Sequence, residues 1–334
     1  MPVTITAGIT FSGGGLTMAF APPSTYTAGW FGGGVVSFNG PKTSTITRIT
    51  YATDTASSTN RGNLSIAKSR FGSTGTSTQG WWAGGYLSPG SSSAVDRTTY
   101  ATDTATASVR GPLTSARYYI AATTDGSTYG WFAGGSGPGG ATVDRITYAT
   151  DTAAAGSRGP LSVANNNGFA ASGTTTDGWF GGGGIPAGSG FISTVQRITY
   201  ATDTATASVK GPLSLARAEN LSATSDNTTY GWFGGGYSPG INRVSLIDRI
   251  TFATDTATAS VRGPMSVQRA ALAASTDNST YGWFTAGMAY PYNLPNYSIT
   301  TVDRITYATD TVTASVRGGL NQPVLSHGGT SGNQ

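Results

Sequence analysis

The residues that could do chemistry in this chain are few and biased in type. Its 334 residues include a single histidine, His327, a single glutamate, Glu219, and no cysteine, so that almost every acidic residue is an aspartate. Paired carboxylates are the usual catalysts of glycoside hydrolysis, and His, Cys and carboxylate clusters are the usual ligands of zinc and copper. A site in this chain would have to be built mainly from aspartate, arginine and tyrosine.

The aspartates and arginines, however, recur at fixed positions. Six near copies of the segment RITYATDT begin at Arg48, Arg97, Arg145, Arg197, Arg249 and Arg304. Other charged residues lie at constant distances from these copies, and we interpret the repeated Asp and Arg residues as ion pairs on strand faces or between repeats. The charged residues outside the pattern are Lys42, Arg70, Glu219 and Arg243. No catalytic set remains, so the sequence predicts a protein that is not an enzyme and has neither a cofactor nor a metal site.

A second group of repeated aspartates lies in turns of the type TTDG, at Asp125, Asp177, Asp226 and Asp277. Such carboxylates either accept hydrogen bonds from nearby backbone amides or contribute to calcium sites. We favour the structural turn, because a calcium ion needs several oxygen ligands at one place. The calcium alternative stays open at this point.

The elements that would position these residues are six repeats. Each contains a segment similar to GWFGGG, and its tryptophans are Trp30, Trp81, Trp131, Trp179, Trp232 and Trp283. Successive tryptophans are 51, 50, 48, 53 and 51 positions apart. Repeats of this length that consist of strand-like residues are typical of propeller blades. We predict an all-β, six-bladed β-propeller with four antiparallel strands in each blade, and we interpret the tryptophans as architectural.

The ring is expected to close by strand exchange. The segment after the last repeat has the length of the first strand that blade one lacks. We therefore predict that residues 323–334 supply this strand and that residues near Val324 pair with the strand containing Trp30. Such pairing would satisfy the open edges at the two ends of the repeat array. The propeller then covers residues 29–334.

Composition excludes several classes of protein. Glycine accounts for 49 residues and charged residues for only 10%, which suits strands and tight turns, and no amphipathic helical period is present. No secretory signal and no apolar run long enough for a membrane span are found, so membrane insertion is not expected. The net charge of +4 is spread evenly over the repeats, whereas a nucleic-acid surface needs a concentrated stripe. Nucleic acid is therefore not an expected partner.

Length variation is concentrated in the loop between the second and third strands. From each repeat tryptophan to the following repeat arginine the chain counts 18, 16, 14, 18, 17 and 21 residues. These loops should emerge on one face of the ring, and a fixed scaffold with varied loops is a common way to build a binding surface. Their aromatic residues form the predicted binding face: Phe38, Tyr86, Phe191, Tyr237, Tyr290, Tyr292 and Tyr297. The alternative is that these side chains only cover the loop bases.

Residues 1–28 have no counterpart in the repeats. The segments TITAGITF and GLTMAF flank three glycines, and this pattern indicates a short two-stranded element. Two short strands are marginal in water by themselves. We therefore predict an attachment or oligomerisation arm in preference to a frayed tail, and a homo-oligomer is left open.

The order of a Gly-Gly pair, a Tyr-bearing third strand and a turn into a fourth strand resembles kelch repeats, although the kelch fourth-strand Trp is absent. The pattern GWFGGG followed by RITYATDTATASVRGPLS is similar to the repeats of proteins found among the virion components of tailed phages of marine cyanobacteria. This resemblance implies a virion protein assembled in the host cytoplasm, as a tail-fibre, receptor-binding (host-attachment) or capsid-decorating component. Its partners would be other virion proteins, through residues 1–28, and a host surface glycan or protein. The alternative is a free lectin-like propeller or a remnant glycosidase-like one.

Overall fold

The computed structural model describes residues 10–12, 15–17, 26–186, 190–289 and 297–333. Six antiparallel sheets of four strands each form a ring, and the fold is a six-bladed β-propeller, as the sequence predicts. In every blade the first strand lies innermost, and the six first strands contact one another around a central channel. The chain then moves outward, strand by strand, to the fourth strand at the rim.

In order from the first strand to the fourth, blade 1 consists of Gly328–Gly332, Ala28–Gly32, Thr45–Thr50 and Thr59–Asn63, and blade 2 of Gly72–Gly75, Gln79–Ala83, Val95–Thr99 and Ser108–Arg110. Blade 3 consists of Ala121–Thr124, Tyr129–Ala133, Val143–Thr147 and Gly156–Arg158, and blade 4 of Ala170–Gly173, Asp177–Gly181, Val195–Thr199 and Ser208–Lys210. Blade 5 consists of Ser222–Ser225, Tyr230–Gly234, Ile247–Thr251 and Ser260–Arg262, and blade 6 of Ala273–Thr276, Tyr281–Thr285, Val302–Thr306 and Ser315–Arg317.

Short elements complete the described part of the chain. Single 3-10 turns follow the third strands, at Tyr51–Thr53, Tyr100–Thr102, Tyr148–Thr150, Tyr200–Thr202, Phe252–Thr254 and Tyr307–Thr309. Three small two-stranded sheets are formed by Thr10–Ser12 with Gly15–Thr17, Tyr237–Ser238 with Asn242–Arg243, and Arg269–Ala270 with Met288–Ala289. The first of these is the two-stranded element expected in residues 1–28. Among the described residues, no helix is long and apolar enough to cross a membrane.

Strand exchange closes the ring, in a register different from the expected one. The strand Gly328–Gly332 pairs with Ala28–Gly32, and Thr330 lies opposite Trp30. Val324, which was expected near this pairing, precedes the strand. The reason is that the chain bends at Ser326, where φ is 54°. Before the bend, Leu325 pairs instead with Val35 at the end of the channel.

The repeated residues form the interfaces between neighbouring blades, which we call seams. Each repeat tryptophan is buried and stacks on an aromatic ring of the next blade. Its indole N–H donates a hydrogen bond to the aspartate in the RITYATDT segment of that blade. Trp81, for example, stacks on Tyr148 with ring centroids 4.0 Å apart, and its Nε1 lies 2.8 Å from Asp151 Oδ2. The same carboxylate pairs with Arg97 at 3.0 Å and with Arg110 at 3.5 Å. These aspartates form ion pairs between blades, as the sequence predicts.

The sixth seam joins the two ends of the repeat array. Trp283 and Arg304 of blade 6 both contact Asp54 of blade 1, at 2.8 and 3.0 Å. This seam therefore has the same contacts as the other five. Since every blade is held on both sides, the ring forms a closed support for the loops at its ends.

A second, fully buried ion pair lies inside four of the blades. In blade 3 Arg117 contacts Asp144 at 2.9 Å and donates to the carbonyl of Phe132 at 3.0 Å, while Asp144 accepts from the backbone N–H of Thr114 at 3.0 Å. The equivalent pairs are Lys68–Asp96, Arg217–Asp248 and Arg269–Asp303. Each pair ties the connection that leads into the first strand to the second and third strands. Blade 4 has the uncharged residues Asn165 and Gln196 at these positions.

Candidate functional site

Two kinds of segment meet at one end of the channel. The loops between second and third strands end there, and so do the connections that lead from each fourth strand into the next first strand. A cavity of about 320 Å³ lies at this end, and residues of both kinds line it, among them Phe38, Lys42, Tyr86, Arg70 and Tyr119. We call this end the channel mouth. The sequence prediction that the varied loops share one face agrees with this arrangement.

The predicted binding-face aromatics surround the mouth as pairs. Phe38 of blade 1 and Tyr297 of blade 6 meet edge to face, with ring centroids 6.3 Å apart. Phe191 of blade 4 and Tyr237 of blade 5 do the same at 5.9 Å. Aromatic pairs of this kind hold loops of neighbouring blades together. Most of these rings are half-buried, which fits the alternative that they cover loop bases, but Phe38 remains 57% exposed.

Tyr86 of blade 2 lies against Tyr118 of blade 3, with ring centroids 5.3 Å apart. Tyr118 is in the connection to a first strand, so this contact joins the two kinds of segment. The other two predicted residues, Tyr290 and Tyr292, lie outside the described residues.

A ring of six backbone positions forms the floor of the mouth. In every blade the residue two positions before the first strand has a left-handed backbone, with φ between 49° and 62°. These residues are Ser326, Arg70, Tyr119, Gly168, Asn220 and Ala271. Only glycine and, to a lesser degree, asparagine adopt this conformation readily. The strand-like residues from Arg117 onward predict a first strand that begins there, but the strand begins at Ala121, after this bend.

Hydrogen bonds join this ring from blade to blade. The backbone N–H of Arg70 donates to Ser326 at 2.8 Å, that of Tyr119 to Arg70 at 2.6 Å, and that of Asn220 to Gly168 at 3.0 Å. Side chains join it too, since Asn220 Nδ2 donates to Ser326 Oγ at 3.1 Å. The backbone is thus nearly the same in all six blades, whereas the side chains range from glycine to arginine. Such a position can change the ligand without changing the scaffold.

The charged residues outside the repeat meet at this mouth. Lys42, Arg70 and Glu219 line the cavity, although they come from blade 1, the connection into blade 2 and the connection into blade 5. The fourth, Arg243, is buried and lies close enough to Glu219 to affect its ionisation. All four therefore belong to one cluster, which the sequence did not reveal because their spacing is irregular.

Two of these cations lie against aromatic rings. Lys42 Nζ is 4.6 Å from the centroid of the Tyr86 ring, and the Arg70 guanidinium carbon is 5.6 Å from the same ring and 4.9 Å from that of Tyr119. Among the described residues, neither cation has a carboxylate within ion-pair distance, in contrast to the repeated cations. Cations on aromatic faces remain able to bind an anion.

The ionisation of the cluster reflects its burial and its charges. Burial lowers the pKa of Lys42, and the nearby Arg70 lowers it further. Burial raises the pKa of Glu219, an effect that Arg243 and Arg70 oppose. At neutral pH the three positive charges outweigh the single carboxylate, so the mouth is a positive region on a ring whose other charges are largely paired.

The remaining chemistry-bearing residues are engaged in the fold. Asp125 Oδ1 accepts three backbone hydrogen bonds within its own turn, as the structural interpretation predicts, and Asp226 and Asp277 do the same. The structure differs from the prediction at Asp177, which lies in the second strand of blade 4 and accepts a hydrogen bond from Thr199 Oγ1 at 2.6 Å. The terminal segment SHGG predicts a solvated or locally bonded side chain for His327, but this residue is buried, and its Nε2 lies 3.0 Å from Thr285 Oγ1 of blade 6. In the described part of the chain, no three His, Cys, Asp or Glu residues come together as a metal site would require.

Comparison with known proteins adds no further assignment. No protein-family model matches the chain, and the search of curated proteins finds no match. The fold defines a six-bladed β-propeller. Any function must accordingly be argued from the mouth itself.

Proposed function

We propose that this protein is a non-enzymatic adhesion module that binds its ligand at the channel mouth. The observation that carries the proposal is the distribution of charge. The repeated charges are used within and between blades, whereas the four non-repeated ones gather at one mouth, beside the loop aromatics. A positive, aromatic-lined cavity on a rigid ring suits recognition of a glycan or protein surface.

We further propose that the module belongs to a phage virion, as a tail-fibre, receptor-binding or capsid-decorating component. The phage resemblance of the repeats supports this assignment. The hairpin Thr10–Ser12 and Gly15–Thr17 supports it as well, because it forms a sheet of its own that could add to another virion protein. In this arrangement residues 1–28 attach the ring and the mouth faces the host.

The binding role can be tested with labelled full-length protein on an array of neutral and acidic glycans and on intact cyanobacterial cells. We expect saturable binding that Phe38→Ala and Tyr297→Ala each weaken. The control is Val109→Ser, since Val109 is 62% exposed on a fourth strand, at the outer rim. Binding that is equally affected by the control, or no binding to any target, would refute the proposal.

The virion role needs a separate test. Mass spectrometry of purified particles should detect the chain at the abundance of a structural protein, and deletion of residues 1–24 should leave a folded ring that no longer joins particles. A chain found only outside particles would favour the free lectin-like propeller, with the mouth as its binding site.

A further inference from the structure

The channel mouth has features that select among ligands. The adhesion proposal requires only that a ligand binds at the mouth, and it leaves the chemistry of that ligand open. The cavity, however, is lined by two cations, Lys42 and Arg70, and by Phe38, the most exposed of the described aromatic rings of the predicted binding face. The following inference rests on the proposed function and deepens it.

The two cations differ from the others in what surrounds them. Lys42 and Arg70 both approach the ring of Tyr86, so that like charges lie near each other, and among the described residues no carboxylate pairs with either at close range. An approaching anion would relieve this repulsion and would accept charge-assisted hydrogen bonds from both. Both cations lie against aromatic rings, and among the described residues the buried Nε of Arg70 has no hydrogen-bond partner.

The same cavity offers an apolar surface and several neutral polar groups. Phe38 lies in the loop that also carries Lys42, and the two residues are only four positions apart. Asn39, Ser88 and Asn220 line the same space. A sugar ring needs both kinds of contact, because its C–H face packs on aromatic rings while its hydroxyls need hydrogen-bond partners. The volume of about 320 Å³ lies at the lower end of the range for small-molecule sites, roughly 300–1,000 Å³, and suits one or two sugar rings.

We propose that the channel mouth binds an acidic sugar, whose negative group contacts Lys42 and Arg70 while its ring packs on Phe38. The negative group is a carboxylate, as in a uronic acid, or a sulfate ester. Among the described residues that line the cavity, only Glu219 carries a carboxylate. It opposes this binding, so the ligand's negative group lies away from it. The variable ring position occupied by Arg70 then determines the charge preference of the site.

The test is calorimetric titration of the full-length protein with glucuronic acid, glucose 6-sulfate, glucose and inorganic sulfate. We expect an acidic sugar to bind at least tenfold more tightly than glucose, and its affinity to fall as salt is added. Which of the two acidic sugars binds better identifies the anionic group. Equal affinity for glucose and both acidic sugars, or no binding of any sugar, would overturn the proposal.

Variants locate the binding and supply matched controls. Lys42→Gln and Arg70→Asn should each weaken binding of the acidic sugar by about tenfold to a hundredfold, the effect of one charged hydrogen-bond partner. Asparagine is suitable at position 70 because it tolerates the left-handed backbone and occupies the same ring position in blade 5, as Asn220. Lys42→Arg retains the charge and should retain binding, and Glu219→Gln should strengthen it. An unchanged affinity in both neutralising variants would refute the assignment.

Two results separate this inference from the proposed function. If Phe38→Ala abolishes binding of a neutral glycan and Lys42→Gln and Arg70→Asn have no effect, the acidic-sugar inference fails and the adhesion module stands. If inorganic sulfate binds as tightly as the acidic sugars and Phe38→Ala changes nothing, the mouth is a simple anion site and the sugar assignment fails.

Discussion

The seams and the channel mouth use the same residue types in opposite ways. At a seam such as that of Asp151, one buried carboxylate accepts hydrogen bonds or ion pairs from a tryptophan and two arginines of the neighbouring blade. At the mouth, Lys42 and Arg70 approach each other with aromatic rings as their nearest partners. The charges at the seams lie where they can stabilise the ring, and the contrast supports our proposal that the charges at the mouth serve an external ligand.

The largest effect is expected at a seam. Asp151→Ala leaves the indole N–H of Trp81 without its acceptor and two arginines without their anion, which should lower the free energy of unfolding by about 3–5 kcal/mol. Denaturant titration measures this. The control is Asp177→Ala, because Asp177 forms a more exposed pair with Arg197 at 3.6 Å and should cost only about 1 kcal/mol. Similar losses in the two variants would contradict the special role of the seam.

Breaking the buried ion pair of blade 3 should lower stability by a smaller amount, and a second substitution should restore part of the loss. Arg117→Asn alone leaves Asp144 buried without its cation and should cost about 3 kcal/mol, because Asp144 keeps the backbone N–H of Thr114 as a donor. Adding Asp144→Gln reproduces the uncharged arrangement of Asn165 and Gln196 in blade 4 and should recover part of the loss. A double-mutant cycle followed by thermal unfolding measures the coupling. A strictly additive result would show that the two residues do not act as a pair.

His327 should make stability depend on pH. Burial, together with the nearby Arg269, lowers its pKa from 6.5 to about 3, so the folded state keeps the ring neutral where the unfolded chain takes up a proton. Below pH 6.5 its contribution to stability should therefore fall by about 1.4 kcal/mol per pH unit until pH approaches the folded-state pKa. Denaturant midpoints between pH 7 and pH 4.5 should fall less steeply in His327→Gln than in the unmodified protein. Identical slopes would contradict the neutral, buried state of this ring.

The smallest effect on stability is expected at the mouth. Lys42→Gln and Arg70→Asn should each change the free energy of unfolding by no more than about 0.5 kcal/mol, because neither removes an ion pair. The same two variants are expected to weaken ligand binding strongly. Melting temperatures measured beside the titrations provide the comparison, and a loss as large as that of Asp151→Ala would place these cations in the structural framework.

Much of the fold follows from the repeats alone. The tryptophans predict six blades, the arginines and aspartates predict ion pairs between them, and the length of the last segment predicts strand exchange. The register of the exchanged strand could not be predicted in the same way, because it depends on the bend at Ser326. This bend belongs to the ring of six left-handed backbone positions around the channel. For the same reason the sequence predicts a first strand of blade 3 that begins too early, because Tyr119 lies in a strand-like sequence although its backbone is left-handed.

The candidate site was predictable only in part. The varied loops and their aromatics indicated the face on which the candidate site lies, since loop length can be counted along the chain. The ring position of Arg70, Tyr119 and Asn220 varies in residue type, but so do the residues before it, Ser69, Tyr118 and Glu219, so the sequence does not single it out. The four non-repeated charges carried no comparable signal, because each is alone in its own segment.

By itself the sequence determined the ring, its closure and the pairing of the repeated charges with one another, because a repeat forces equivalent residues into equivalent contacts. Only the tertiary structure decided that Lys42, Arg70 and Glu219 meet at one mouth. Their proximity arises from closure of the ring, which brings non-equivalent positions of different blades together around the channel. Contacts between non-equivalent positions do not recur at a fixed spacing along the chain. The cluster of charges at the mouth could therefore not be recognised from the sequence.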